Sequence, residues 1–299
     1  WVPREVLYAP WFARGLRVSP GIDAIHHTYY DRRFLKPIGP AARISTIHDM
    51  IPERFAGTDG FTGSHLAKAD YVCHSDLIIC VSEATRADMD YYLRTPPGKV
   101  VVVPNAVQPE FKPGLPPCAA LPTEYMLYVG KREGYKDFSI LPAAVAELQR
   151  QSVSCKVVVV GPPFNRTEVE LFGRYGVTSL FEQHSLDDTQ LRSAYANCRL
   201  VVQTSRYEGF GMTPLEGMAS GAPVVVAKSS AMPEVGGDVA RYFEPGSADS
   251  LAIELEKVLG DPALQSNLGQ RGIQRAQLFT TSLMAERTAA AYRSIVSAN

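Results

Sequence analysis

A chain of 299 residues with 45% hydrophobic content can bury more than one core, so two domains are the better expectation. Its 30 basic against 31 acidic residues argue against a nucleic-acid binder, which would carry a basic excess. Five scattered cysteines, Cys73, Cys80, Cys118, Cys155 and Cys198, form no CxxC pair, which disfavours a disulfide framework or a cysteine zinc site and suits a reducing cytosol.

The charge is uneven along the chain. Residues 1–43 carry seven basic side chains (Arg4, Arg14, Arg17, Arg32, Arg33, Lys36, Arg43) against three acidic ones, leaving +4 there and −5 for the remainder. A solvated face explains this most simply, and a surface for an acceptor or an anionic lipid is the alternative. No apolar run reaches the length needed to cross a bilayer, and nothing at the start has the order of a signal peptide. The expected location is therefore cytoplasmic, with membrane contact at most peripheral. The chain opens on Trp1, not on methionine, which implies an absent upstream piece.

From Ile22 to Val103, short apolar strands end in polar loops: IDAIHH, ARISTIHD, DLIICVS and KVVVVP. Between the later ones lies the helical SEATRADMDYYLR, for which Ser82 is a good N-cap because its hydroxyl can accept from an orphan amide of the first turn. Pro104, Pro109, Pro113, Pro116, Pro117 and Pro122 then disfavour any helix or central strand, so this stretch reads as a linker. The expected domains are residues 1–112 and 113–299.

Beyond the linker the alternation is more regular. Strand YMLYVG precedes a helix from about Asp137 to Gln151, then CKVVVVG, a helix, TSLFEQ, a helix from Asp187, RLVVQT, a helix from Pro214, and APVVVA. The unbroken β-branched runs Val157–Val160 and Val224–Val226 suit parallel strands buried on both faces. Residues from Ser247 onward look helical, and the final helix is expected to reach back toward the first domain. This is an α/β chain of two Rossmann-like, doubly wound domains facing a cleft, the first incomplete. Ligands of such sheets bind beyond the carboxyl ends of strands. The residues so placed are His26, His27, His48, Asp49, Ser82, Asn105, Lys131 to Lys136 and Ser205 to Gly211.

The most informative segment is SRYEGFGMTPLEGMASGAPVVV, Ser205 to Val226. Gly209 and Gly211 let backbone approach a ligand, and Pro214 reads as the first helical residue, which would aim free amides at the loop as a phosphate site. Glu208 and Glu216 then place two carboxylates on one side of the cleft. The same residues also fit a capping box, with Thr213 as N-cap and Glu216 reaching back.

EGFGMTPLE followed by GMASGAPVV resembles the donor-site signature of glycosyltransferase family 4, which implies the GT-B fold and a retaining, nucleotide-sugar-dependent transfer. The resemblance implies that Glu208 contacts donor-sugar hydroxyls and Glu216 the nucleotide ribose, with Gly209, Phe210, Gly211, Met212 and Thr213 lining the donor. YVGKREGYKDF, Tyr128 to Phe138, matches the family's basic loop for the donor diphosphate, implying Lys131, Arg132 and Lys136 as its cations. TIHDMIPE looks like the HD motif of the mannosyltransferase-like branches, implying a role for His48 beside Glu208. HHTYY also resembles family sequence, so His26, His27 and Asp49 are acceptor-side candidates, and residues 1–112 become the acceptor-side domain.

Asp88 and Asp90 form a DxD string, but two apart on a helix they point to different faces, so no metal is assigned. The family's opening strand and glycine-rich loop do not precede His26, which is why the first domain reads as partial. The resemblance implies a nucleotide sugar, with GDP-mannose the first choice, as substrate, and no cofactor. A surface polysaccharide or lipid-linked glycan is the implied acceptor. Two alternatives stand beside this: another GT-B enzyme such as a nucleotide-sugar epimerase, and a noncatalytic sugar-nucleotide-binding or assembly subunit.

Overall fold

The computed structural model describes residues 22–31, 35, 41–55, 67–94 and 100–296. Of the basic residues in the opening segment only Arg43 lies within them. The chain divides into two compact units, Trp1–Pro104 together with Met284–Asn299, and Asn105–Leu283.

In the first unit, strands β1 (Ala24–His27), β2 (Ala42–Ile47), β3 (Leu77–Cys80) and β4 (Val100–Val102) form a parallel sheet in that order. Side chains of a strand alternate between faces, and β3 uses both. Ile78 and Cys80 join Ile47, Met50, Tyr71, Val72 and Met89 on one side. Leu77 and Ile79 join Ile44 and Val103 on the other, against Ala291, Met284, Tyr292 and Ile295 of the last helix. Helices α1 (Ile51–Arg54), α2 (Lys68–His74) and α3 (Glu83–Leu93) follow β2 and β3. Ser82 caps α3 as expected: its backbone is extended and its Oγ accepts from Thr85 N at 2.9 Å.

The second unit holds strands β5 (Tyr125–Val129), β6 (Lys156–Val160), β7 (Phe181–His184), β8 (Leu200–Gln203), β9 (Val224–Ala227) and β10 (Arg241–Phe243). All pair in parallel, in the order β10-β9-β8-β5-β6-β7. The order reverses between β5 and β8, the kind of switch point at which open α/β sheets bind ligands beyond the carboxyl ends of their strands. Its helices are α4 (Ile140–Arg150), α5 (Arg166–Tyr175), α6 (Asp188–Asn197), α7 (Met212–Ala219), α8 (Met232–Gly236), α9 (Ala248–Gly260) and α10 (Pro262–Ala276), and α11 (Thr281–Val296) carries the chain into the first unit.

Three expected elements shift. The helix expected from Asp137 starts at Ile140, because Asp137 is left-handed (φ 50°) and ends a separate 3₁₀ turn, Gly134–Lys136. TSLFEQ is strand only from Phe181, its first residues forming a 3₁₀ turn, Thr178–Leu180. The helix expected from Pro214 begins at Met212 instead, with Gly211 as N-cap. Pro214 is then its third residue, where a missing N–H still breaks no helical bond.

Helix α10 crosses α7 closely enough that a Cβ on Gly269 would lie 2.4 Å from the Gly221 carbonyl oxygen. A backbone carbonyl cannot rotate away as a side chain can. Gly269→Ala is therefore expected to lower stability by about 1–3 kcal/mol, read from the midpoint of urea unfolding; an unchanged midpoint would show that the crossing can relax.

Candidate functional site

The two loops at the β5/β8 reversal are stitched to each other. Thr204 Oγ1 donates to the Lys136 carbonyl at 2.6 Å, and the Arg206 amide donates to the Tyr135 carbonyl at 2.8 Å. Gly211 closes the second loop at φ 118°, a conformation that L side chains rarely adopt, so the turn into α7 requires glycine. Phe210 is buried and meets Phe279 edge-on with centroids 5.7 Å apart, anchoring the loop between Gly209 and Gly211. Met212 and Thr213 are half-buried at the start of α7.

Glu208 sits where these loops meet. Its Oε1 accepts from Lys136 Nζ at 2.6 Å and from Gln203 Nε2 at 2.8 Å. Its backbone is held too: the amide donates to Ser230 Oγ at 2.8 Å, and that hydroxyl donates to the Glu208 carbonyl at 2.9 Å. The carboxylate is thus fixed at the mouth of the reversal, in ion-pair contact with the cation opposite.

Glu216 lies one turn into α7. Neither Thr213 nor any other side chain caps the helix, so the capping-box reading is corrected: the N-cap is Gly211, and Glu216 Oε2 accepts instead from the Tyr195 hydroxyl at 2.7 Å. Tyr195 is fully buried. Burial raises the Glu216 carboxyl to about 7, and the Tyr195 hydrogen bond offsets only part of that rise. An acid poised there ionises when a ligand offers it hydrogen-bond donors.

The three expected phosphate cations separate. Arg132 turns inward: Nε and Nη2 donate to Glu168 Oε1 and Oε2 at 2.6 and 3.0 Å, and Nη2 also to the Pro163 carbonyl at 2.9 Å. The guanidinium lies over Phe164 and Phe138, 5.1 and 5.7 Å from their ring centres, with Nη1 buried and without a hydrogen bond. Lys131 is exposed, and Lys136 faces Glu208. Local sequence could not reveal the Arg132 partner, since Glu168 stands 36 residues away on α5. Tyr195, Gln203 and Ser230 were likewise missed. Of these only Gln203 had a signal, being a polar residue at the end of a buried strand.

In the first unit, His48 is exposed, and its Nε2 donates to the Thr28 carbonyl at 3.1 Å. Asp49 Oδ1 accepts from the Ile51 amide at 3.0 Å and stands 3.7 Å from Lys68 Nζ, the buried amine that also donates to Glu53 Oε2 at 2.8 Å. Both ring nitrogens of His26 are engaged, by the Tyr292 hydroxyl at 2.6 Å and Thr46 Oγ1 at 2.7 Å. Burial, with a smaller effect of His48, lowers its pKa. His27 meets Tyr71 edge-on at 5.1 Å, and burial, then Arg43 and His26, lower its pKa as well. Asp88 pairs with Arg54 at 3.6 Å, and among the described residues no cluster of His, Cys, Asp or Glu could hold a metal ion.

Two parallel α/β sheets in this arrangement are the GT-B fold of glycosyltransferases. The chain superposes on sucrose-phosphate synthase from Thermosynechococcus elongatus with a TM-score of 0.81 at 20% identity, over 100% of this chain and 81% of that one, a likeness of fold. Residues 119–275 match the family model described as glycosyl transferases group 1, and residues 1–111 that of glycosyltransferase family 4. The chain belongs to glycosyltransferase family 4. It is 27% identical over 263 residues to the serotype-specific mannosyltransferase WbdA of Escherichia coli, covering 81% of this chain and 32% of WbdA. It is 32% identical over 167 residues to MMP alpha-(1->4)-mannosyltransferase of Mycolicibacterium hassiacum, covering 54% of this chain and 40% of that protein. The chain thus spans roughly a third of the length of the first of these relatives and two fifths of the second. Among the described residues, no helix is long and apolar enough to cross a membrane.

Proposed function

We propose that the protein transfers a sugar, mannose from GDP-mannose as first choice, from a nucleotide donor to a polysaccharide or lipid-linked glycan with retention of anomeric configuration. The observation that carries this reading is the Lys136–Glu208 pair joining the two loops at the strand-order reversal, with α7 and its Glu216 following directly in the chain. The two mannosyltransferase relatives support the choice of sugar. The unit Asn105–Leu283 acts as the donor domain and the unit of Trp1–Pro104 with Met284–Asn299 as the acceptor-side domain, with His48 as the candidate for sugar contact there.

In this reading Glu216 accepts from the ribose hydroxyls, and Lys131, Lys136 and the amides at the start of α7 hold the diphosphate. Arg132, committed to Glu168, shapes the basic loop. The anomeric carbon's bond to the diphosphate oxygen breaks, the acceptor oxygen bonds to that carbon on the same face, and the acceptor proton passes to the departing phosphate. Glu208 holds the sugar and stabilises the positive charge that develops on it.

Fixed cations at the diphosphate make a divalent ion dispensable, so initial rates are expected to change less than about twofold in excess EDTA. Loss of activity in chelator that magnesium or manganese restores would contradict this. The function is tested by thermal shift against a panel of sugar nucleotides, followed by transfer of labelled sugar from each donor that binds. The expected result is stabilisation by GDP-mannose and a product whose linkage keeps the donor's configuration by NMR. Binding without transfer to any glycan would favour a noncatalytic subunit, and no binding at all would overturn the reading.

A further inference from the structure

We propose that Gln203 is a positioning residue for sugar transfer, whose amide fixes the Glu208 carboxylate toward the donor sugar; this rests on the reading of Glu208 given above. Gln203 ends β8 and is 3% exposed, directly after Val201 and Val202, which are fully buried. Its Nε2 donates to Ser205 Oγ at 2.7 Å and to Glu208 Oε1 at 2.8 Å. Its carbonyl oxygen is buried and has no hydrogen-bond partner.

An unpartnered buried acceptor is destabilising, so a glutamine kept for stability alone would satisfy both ends of its amide. Turning the amide over would set its oxygen against the Glu208 carboxylate, two acceptors facing each other. The carboxylate therefore dictates the orientation and leaves the carbonyl stranded. A valine in this position would complete the strand without that penalty.

Lys136 and Gln203 approach the same oxygen, Oε1, which leaves the carboxylate's other oxygen, Oε2, for a ligand. The two donors are not equivalent. Lys136 neutralises the carboxylate and is also one of the two lysines that the reading above assigns to the diphosphate. When the ammonium turns to phosphate, the neutral amide of Gln203 still holds Oε1 and leaves the full negative charge for the sugar.

Gln203→Leu removes the donor and the stranded acceptor together at similar volume. The expected result is a kcat roughly ten- to a hundredfold lower, an affinity for nucleoside diphosphate within about twofold of wild type, and a melting temperature equal or higher. Gln203→Glu supplies a second readout. Two carboxyls at hydrogen-bond distance share one proton, and the protonated one can donate as the amide did. Activity of this variant relative to wild type should fall as pH rises. Wild-type kcat in the Gln203→Leu enzyme, or a loss that tracks a lowered melting temperature, overturns the inference alone. A wild-type protein that transfers no sugar overturns the functional reading and this inference with it.

Discussion

Glu208→Gln is expected to lower kcat by roughly a hundredfold or more while nucleoside diphosphate binds as well as before or more tightly. The substituted amide can turn its carbonyl oxygen to the place of Oε1 and accept from Lys136 Nζ and Gln203 Nε2, so the geometry survives and only the charge is lost. That charge is what opposes the positive sugar in the transition state. Lys136, meanwhile, loses the counter-ion that faces it and becomes freer to meet phosphate. Steady-state kinetics beside calorimetric titration with the nucleoside diphosphate separate the two effects, and normal turnover would remove Glu208 from the mechanism.

Glu216 carries the second large effect. If ribose hydroxyls donate to its ionised form, replacing it with alanine should cost about 1.5–3 kcal/mol of affinity, roughly a ten- to hundredfold change in Kd. Its pH dependence has a definite sign. Burial raises the carboxyl to about 7, so the folded state retains a proton between the ordinary carboxylate range and neutrality. Stability from this group therefore falls as pH rises through that window. Ligand binding runs the other way, because the donor needs the ionised form. Sugar-nucleotide affinity should rise about tenfold per pH unit below 7 and level off above it. Glu216→Gln should flatten the profile. A sugar nucleotide is the right probe, since its diphosphate is esterified at both ends and does not titrate near neutrality. A profile that stays as steep in the glutamine variant would assign the proton elsewhere.

Much of the second unit was legible because its strands are β-branched runs punctuated by turns, and its donor loop is a local string of glycines and carboxylates. Ser82 was readable for the same reason: a cap acts within three residues, and the hydroxyl reaches the Thr85 amide. What escaped depends on residues far apart in sequence. Arg132 looked like a phosphate ligand in its basic loop, and only the folded chain brings Glu168 and two phenylalanine rings around it. Thr213 and Glu216 have the spacing of a capping box, yet the helix starts earlier because the left-handed turn falls at Gly211, and Tyr195 claims the carboxyl. The strand-order reversal that gathers the loops after β5 and β8 is likewise a property of pairing between distant strands.

Helix α11 has a consequence for synthesis. Residues from Met284 onward belong to the first unit, and Met284, Ala291, Tyr292 and Ile295 cover the sheet face formed by Ile44, Leu77, Ile79 and Val103. A ribosome therefore releases the strands of that sheet before the second unit and the helix that seals it after. The first unit starts before the second and finishes after it, and its apolar face stays uncovered while the second unit folds. A stop codon in α11 would harm the first unit most, although the strands it uncovers lie about 200 residues upstream.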